Sequence, residues 1–153
     1  MRKTAAVVIL AACAALACSA QSTLTGTWKL NESKSKLAAN APKNSTVVYS
    51  SAGDQTKVTI DGTDANGNPA HNEWIGKFDG KDYPVTGDPG SDARAVKKVD
   101  DRTFTFVVKK GGKETAHGRI VVSPDGMSRT VTNTLTDASG KKTTVTQVYD
   151  KQM

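Results

Sequence analysis

Apolar and polar residues alternate with a period of two along much of this chain. In the stretch RTFTFVVKK, Phe104 and Phe106 point to one face while Thr103 and Thr105 point to the other. The stretch MSRTVTNTLT (127–136) puts five Ser or Thr residues on one face and a mixture of apolar and polar residues on the other. A period of two is typical of β-strands with one packed side and one solvated side.

Short runs rich in Val, Thr, Ile, Phe and Tyr recur between turn signals such as SPDG and DASGK. Other turn signals contain Asp79-Gly80 and Gly111-Gly112, and these pairs favour two-residue turns with positive φ. Only the segment 32–41 has a helical pattern, which Pro42 would end. Counting the runs predicts ten strands, which centre on residues 24–30, 45–50, 55–61, 70–78, 81–86, 93–99, 102–109, 113–122, 127–136 and 142–150.

Sequential hairpins of this kind form a meander, and a long meander usually closes because closure removes exposed strand edges. The sequence therefore predicts an all-β fold, a single up-and-down antiparallel β-barrel of about ten strands with little helix. It shows no repeat of fixed period and no internal linker.

The first twenty residues have a basic start, an apolar run and small residues before Gln21. This is the pattern of a secretory signal peptide. We expect residues 1–20 to be removed and residues 21–153 to form an exported domain, periplasmic or secreted. The alternative is a lipoprotein that is anchored to the membrane through an acylated Cys18 or Cys13. Contact with a membrane is expected only in that case.

Loss of the leader changes the composition. Without Arg2 and Lys3, 19 basic residues face 15 acidic ones, a net charge of +4, and no cysteine is left. Disulfides, thiol nucleophiles and cysteine metal sites are thereby excluded from the mature domain. Its apolar fraction falls to about 30%, which is thin for a packed core. The lysines are scattered and aromatic residues are few, so a nucleic-acid partner is not expected.

Few residues suggest chemistry. His71 and Glu73 share one face of a predicted strand, and a metal site would need His117 as a third ligand. We favour exposed polar side chains and expect no metal. His117 and Arg119 share a face that is either interior or exterior, and the apolar residues around them favour the exterior. The sequence has no Gly-x-Ser-x-Gly motif and no phosphate loop. We therefore expect no catalytic residues, no cofactor and no enzymatic activity.

The stretch GTWKLNESKSKL resembles the first strand of calycins, the lipocalin and fatty-acid-binding-protein group, in its fatty-acid-binding form. TVTQVYDKQ is similar to the last strand of that family, and GKFDGKDYPVTGDP resembles uncharacterised exported bacterial proteins described as lipocalin-like. The resemblance implies a barrel whose end is plugged by Gly26 and Trp28. An indole is large enough to fill that end, and a glycine allows a neighbouring backbone to approach it.

The sequence also departs from the family pattern. About ten residues follow the first strand, which is too few for the usual two-helix lid. The family's Arg-x-Tyr on the last strand is here Gln147-Val148-Tyr149, so a carboxylate anchor at that position is in doubt. Lipocalins lay a late-strand Arg across the Trp, and here Lys151 or Arg129 could take that place.

Three functions are consistent with these observations. The leading hypothesis is a monomeric barrel that binds a small apolar or amphipathic, lipophilic ligand in its interior or at its mouth. The second is a ligand-free interaction module of the cell envelope that contacts protein or glycan through its loops. The third and weakest is a hydrolase or isomerase with a site at the barrel mouth. For the first hypothesis the candidate ligand-binding residues are Trp74, Phe104, Phe106, Gln147 and Tyr149.

Overall fold

The computed structural model describes residues 21–153, so the predicted signal peptide and both lipidation candidates lie outside the described residues. The described chain contains ten strands, as the hydrophobic pattern predicts. They are β1 (Gly26–Leu30), β2 (Lys43–Ala52), β3 (Gln55–Thr63), β4 (Pro69–Gly76), β5 (Asp79–Thr86), β6 (Ala93–Lys98), β7 (Thr103–Lys110), β8 (Lys113–Val122), β9 (Ser128–Thr136) and β10 (Lys142–Lys151).

Each strand pairs antiparallel with the next in sequence, and β1 also pairs with β10, which closes the barrel. The closing ladder sets Trp28 opposite Lys151 and Leu30 opposite Tyr149. This confirms the predicted all-β fold as a single closed up-and-down barrel. Within residues 21–153, no helix has the length and apolar character needed to cross a membrane.

Alternation decides which side chains point inward. On β8, Ala116, Ile120 and Val122 are buried, whereas His117 is half-exposed and Arg119 is exposed. The exterior placement predicted for the last two residues is therefore confirmed.

The two predicted tight turns have different outcomes. Gly111 and Gly112 form a two-residue loop between β7 and β8 with φ angles of 56° and 79°. Glycine reaches such angles without strain, and two positive φ angles in succession are typical of the hairpin turn that matches strand twist. Asp79-Gly80, by contrast, lies inside β5, where the register with β6 shifts between Asp79 and Asp82. The glycine forms a bulge there and the chain turns earlier, so this turn prediction is wrong.

The helix predicted over 32–41 is also wrong. The structure has only a single 3₁₀ turn at Glu32–Lys34, after which the chain continues alongside β10. Lys36 and Thr146 exchange backbone hydrogen bonds of 2.7 and 2.9 Å. The Ser35 hydroxyl accepts a 2.9 Å hydrogen bond from the Val148 N–H. These bonds give the backbone N–H and C=O groups of the segment partners on β10. A helix here would have no continuous apolar face to bury, so it would gain little from packing.

The two ends of the barrel differ. Leu24, Trp28, Phe104 and Val122 are almost completely buried at the end that holds both described termini, which we call the closed end. At the other end, the mouth, lie the connections 31–42, 64–68, 87–92, 111–112 and 137–141.

Candidate functional site

Trp28 fills the closed end. Its indole is fully buried, and its Nε1–H donates a 2.7 Å hydrogen bond to the Leu24 carbonyl oxygen. Gly26 adopts a φ of 122°, and a Cβ atom there would lie 3.0 Å from Cε of Lys151. The glycine thus makes room for a side chain, not for the backbone expected from the sequence.

Arg129 lies directly above this plug. Its guanidinium carbon is 5.1 Å from the centre of the Trp28 ring, 5.0 Å from that of Tyr49 and 4.5 Å from that of Tyr149. Nη1 donates a 2.7 Å hydrogen bond to the Tyr49 hydroxyl, while the buried Nε has no hydrogen-bond partner among the described residues. Lys151 also lies over the Trp28 ring, at 5.3 Å. Both residues named as candidates for the cation over Trp28 therefore occupy that place.

Between this layer and the mouth lies a cavity of about 110 Å³. Most of its wall is apolar and comes from alternate positions on seven strands. Its polar lining consists of amides, two arginines and two tyrosines, without a carboxylate, histidine or hydroxyl of Ser or Thr. Burial raises the pKa of the Tyr149 phenol above its ordinary value, so this group stays neutral. The apolar members of the wall are Val47, Val58, Ile60, Trp74, Val96, Phe106, Val108, Ile120 and Val131.

Towards the mouth the cavity meets a second pocket of about 350 Å³, whose wall includes the carboxylates of Asp88 and Asp137. The two share Asn44, Arg94, Val108, Asn133 and Gln147 in their walls. These residues form the boundary between the apolar interior and the rim, and we call the four polar ones the polar collar.

Arg94 is the charged member of the collar. It is the second residue of β6, and its Nη2 makes one long hydrogen bond of 3.4 Å to Asn72 Oδ1. No carboxylate oxygen of the described residues lies within 4.0 Å of it. Burial lowers the pKa of the guanidinium from its ordinary value, because desolvation disfavours the charged form.

Four of the five predicted ligand-binding residues line this cavity: Trp74, Phe106, Gln147 and Tyr149. Phe104 does not, since it lies deeper, fully buried, with its ring 5.2 Å from that of Phe78. It shares a face with Phe106, and sequence alternation cannot distinguish depth along the barrel.

Two ring positions have clear local causes. The Trp74 indole donates a 2.9 Å hydrogen bond to the Arg94 carbonyl oxygen and stacks on Phe78 at 6.2 Å. Phe106 lies opposite Gly118, where an added Cβ would come within 2.6 Å of its Cζ. The ring therefore occupies space that only a glycine leaves free.

Sequence reasoning missed Arg94, Tyr49 and Asn44 as cavity residues. In the stretch DARAVKK, Arg94 and Val96 share one face of the strand, and Ala93 and Ala95 share the other. Neither face is clearly more apolar than the other. No sequence signal identifies the interior face there.

The two histidines lie apart from the cavity on the outer surface. His71 Nδ1 lies 2.6 Å from Asp61 Oδ1, and its Nε2 lies 3.9 Å from Glu73. His117 pairs instead with Glu114, at 2.6 Å. Across residues 21–153, no group of three or more His, Cys, Asp or Glu side chains is arranged to hold a metal ion.

No protein-family model matches the sequence. No curated protein matches it either. Among solved structures, EF1p2_mFAP2b bound to DFHBI aligns with 85% of this chain and 94% of its own, at 10% identity and a TM-score of 0.48. A redesigned β-barrel, mFAP1, bound to DFHBI, aligns with 84% of this chain and 95% of its own, at 14% identity and a TM-score of 0.43. At such identities the likeness concerns the fold alone.

The molecule is a closed up-and-down β-barrel of ten antiparallel strands. One end is plugged by an indole, and a small lined cavity lies beneath the other.

Proposed function

We propose that this protein is an exported binding protein that holds a small amphipathic molecule in its barrel. The observation that carries the proposal is the cavity itself, whose wall is apolar below and polar at the collar. A cavity of about 110 Å³ speaks against the alternative of a filled barrel that acts only through its loops. Typical ligand pockets span about 300–1,000 Å³, so the enclosed part of the ligand must be compact.

Binding without turnover fits the same wall. General acid–base chemistry needs a group that titrates near neutral pH within reach of the substrate. Among the described residues, the cavity lining provides only arginines and tyrosines as titratable groups. Both histidines are on the outer surface.

The cavity can be filled to test the binding proposal. Val131 is buried and lines the cavity, whereas Val121 is 42% exposed on the outer face of the neighbouring strand. A panel of small aromatic and aliphatic compounds would be titrated while tryptophan fluorescence and calorimetric heat are recorded. We expect binding to the unmodified protein, loss of binding in Val131→Phe and retention in the matched control Val121→Phe. Binding that survives in a folded Val131→Phe variant would place the ligand elsewhere.

Export is tested separately, by fractionation of cells that express the full chain. We expect a soluble product in the periplasm or medium whose mass begins at Gln21. Incorporation of labelled fatty acid that is lost in Cys18→Ser or Cys13→Ser would instead establish the lipoprotein form.

A further inference from the structure

The barrel interior carries two arginines, and only the more distant charge of Asp88 acts on one of them, Arg94. Arg94 and Arg129 both line the cavity, and no described carboxylate lies within 4.0 Å of either. Arg129 is buried, so other groups have to replace the hydration of its charge. Arg94 is half-buried at the opening, so its free donors face water or a ligand.

Arg129 has such partners within the protein. Three ring faces surround its guanidinium, and the Tyr49 hydroxyl accepts from it at 2.7 Å. Cation–π contacts of this kind replace part of the lost hydration. Arg129 is thus part of the plug.

Arg94 has no comparable partners. Its one hydrogen bond is 3.4 Å long and goes to a neutral amide. Two carboxylates, those of Asp88 and Asp137, line the rim pocket, and each is held within its own turn. Asp88 accepts hydrogen bonds from the Ser91 hydroxyl and the Gly90 N–H, and Asp137 accepts from the Ser139 hydroxyl and the Lys141 N–H. The guanidinium consequently keeps most of its five donors free at the boundary between cavity and mouth.

The rest of the collar suits a negatively charged group. Asn44, Asn133 and Gln147 surround the same opening and bring amide donors without any negative charge. The buried Oδ1 of Asn133 has no hydrogen-bond partner among the described residues. Because no bond holds that oxygen in place, the amide can rotate and turn its NH₂ group towards an anion.

We infer that the collar binds the acidic group of a compact organic anion, with Arg94 as its principal partner and the apolar body of the ligand in the cavity below. This inference rests on the proposed function and names the ligand class. The enclosed space resembles, in size, an apolar cavity of about 150 Å³ that accepts benzene. The ligand is thus a single-ring or short-chain carboxylate, with its head at the mouth. The anchor is on β6, whereas the last strand offers Gln147 at the position where the family resemblance would place a cation.

The test compares two probes of equal shape and different charge, benzoate and benzamide, by calorimetry at pH 7. The unmodified protein is expected to bind benzoate about tenfold more tightly, because an ionised acceptor strengthens the hydrogen bonds of a guanidinium. Arg94→Gln should lower benzoate affinity to the level of benzamide and change benzamide affinity less than about twofold. The matched control is Arg119→Gln, on the outer face of β8, which should keep the full preference.

A second measurement uses only the unmodified protein, so it does not depend on whether a variant folds. The Nε–H signals of arginine are followed by nuclear magnetic resonance in the unmodified protein during titration with each probe. Benzoate should shift the Arg94 signal strongly and the Arg119 signal not at all, and benzamide should shift the Arg94 signal weakly. The Trp74 hydrogen bond goes to the main chain of Arg94, so Arg94→Gln leaves that contact in place.

The failures of the two proposals differ. Equal affinity for benzoate and benzamide, or a preference for benzoate that persists in Arg94→Gln, overturns the anion site and leaves the binding barrel intact. If no compound of the panel binds the unmodified protein, the proposed function fails and the anion site fails with it.

Discussion

Arg129 is the residue that connects the plug to the cavity. Its guanidinium contacts Trp28 from β1, Tyr49 from β2 and Tyr149 from β10, and these strands close the barrel. A buried cation costs desolvation energy, whereas the flat guanidinium gains from each ring face. Its net contribution to stability is the difference between these two effects.

Substitutions at Arg129 should separate charge from packing. Arg129→Ala leaves a void among three rings and should lower the free energy of unfolding by about 3 kcal/mol. Arg129→Met keeps much of the volume and removes both the desolvation cost and the unpaired Nε, so it should stay within about 1 kcal/mol of the unmodified protein. Urea unfolding measures both values, with the exposed Arg119→Met as control. A loss in Arg129→Met as large as that in Arg129→Ala would mean that the charge itself stabilises the fold.

Gly118 shows how one missing side chain shapes the cavity wall. An added Cβ there would meet the Thr132 carbonyl oxygen and the Phe106 ring. Gly118→Ala should therefore displace both and lower stability by about 1–3 kcal/mol, as overpacking of a core does. Thermal unfolding tests this against Gly90→Ala, where the added Cβ has only the end of the Asp88 side chain, at 3.3 Å, as a close neighbour. Equal melting temperatures for the two variants would contradict it.

At the scale of elements, the connection between β1 and β2 departs most from the sequence prediction. The connection extends the barrel wall along β10, and Ser35 links the connection to that strand. The Ser35 hydroxyl accepts from Val148 N–H and donates to the Asn31 carbonyl oxygen at 2.7 Å. A short polar side chain thus replaces a missing backbone bond.

Ser35→Ala should release this junction. The Val148 amide loses its acceptor, and a bond of this kind contributes about 1 kcal/mol, so its hydrogen exchange should speed up by roughly three- to tenfold. Ser33→Ala is the matched control, because that hydroxyl donates only to the half-buried Asn31 side chain, in a bond that is exposed to solvent. Exchange at Val148 that is unchanged in Ser35→Ala would show that the connection holds without it.

Many of the turns share one type of hydrogen bond, from a backbone N–H to an aspartate side chain. In six of them an aspartate accepts a hydrogen bond from the backbone N–H two residues ahead. Five of these aspartates also have a shifted pKa. Hydrogen bonds to the ionised carboxylate lower its pKa, and the pKa of each of these groups is held below its ordinary value of 3.8. They are Asp64, Asp79, Asp100, Asp125 and Asp137.

The fold should therefore weaken in acid. A carboxyl with a depressed pKa in the folded state stabilises the fold above its unfolded pKa, about 3.9, and this stability is lost as the pH falls through the lower folded value. For Asp137, hydrogen bonds from the Ser139 hydroxyl and then from the Lys141 N–H hold the pKa down. Asp137→Asn keeps an acceptor but does not titrate, so its stability should fall less steeply below pH 4. Urea unfolding at pH 2–7 gives both slopes, and parallel slopes would refute the role of this carboxylate.

Sequence predicted the elements well and the interior poorly. All ten strands follow from alternation and turn residues, because both are local properties. The failures at 32–41 and at Asp79-Gly80 occur where hydrogen bonds to β10 or a register shift against β6 decide the structure. Trp28 could be placed from the family resemblance, whereas Arg94 lies on a strand whose faces look alike in sequence. The candidate site was therefore only partly predictable.

At the scale of the whole molecule, the first and last strands meet. Trp28 pairs with Lys151, and the Gln152 N–H donates to the Thr27 carbonyl oxygen at 2.8 Å. Closure thus joins the first and last strands of the domain. We expect the stability of the barrel to depend on which strands are paired, and less on where the chain begins.

A circular permutant should confirm this. Residues 21–153 would be joined end to end by a short Gly/Ser linker and opened between Gly111 and Gly112, where an added Cβ would meet nothing within 4 Å. We expect a folded barrel whose melting temperature falls by less than about 10 °C, since an exposed hairpin tip tolerates cutting. Opening the same circle between Thr146 and Gln147, inside β10, should abolish the cooperative transition seen by circular dichroism. Two equally stable permutants would contradict the importance of the closing ladder.

The connection that lies flat against β10 has a kinetic consequence. No α-helix of the described chain covers the mouth, so a guest of the proposed kind would meet no helical lid on entering or leaving. Gating by a lid slows both steps and prolongs occupancy. For the proposed complex we therefore expect a lifetime that is set by the contacts of the guest with the cavity and the collar. If those contacts are modest, the ligand should exchange quickly, which suits transfer of a ligand better than long storage.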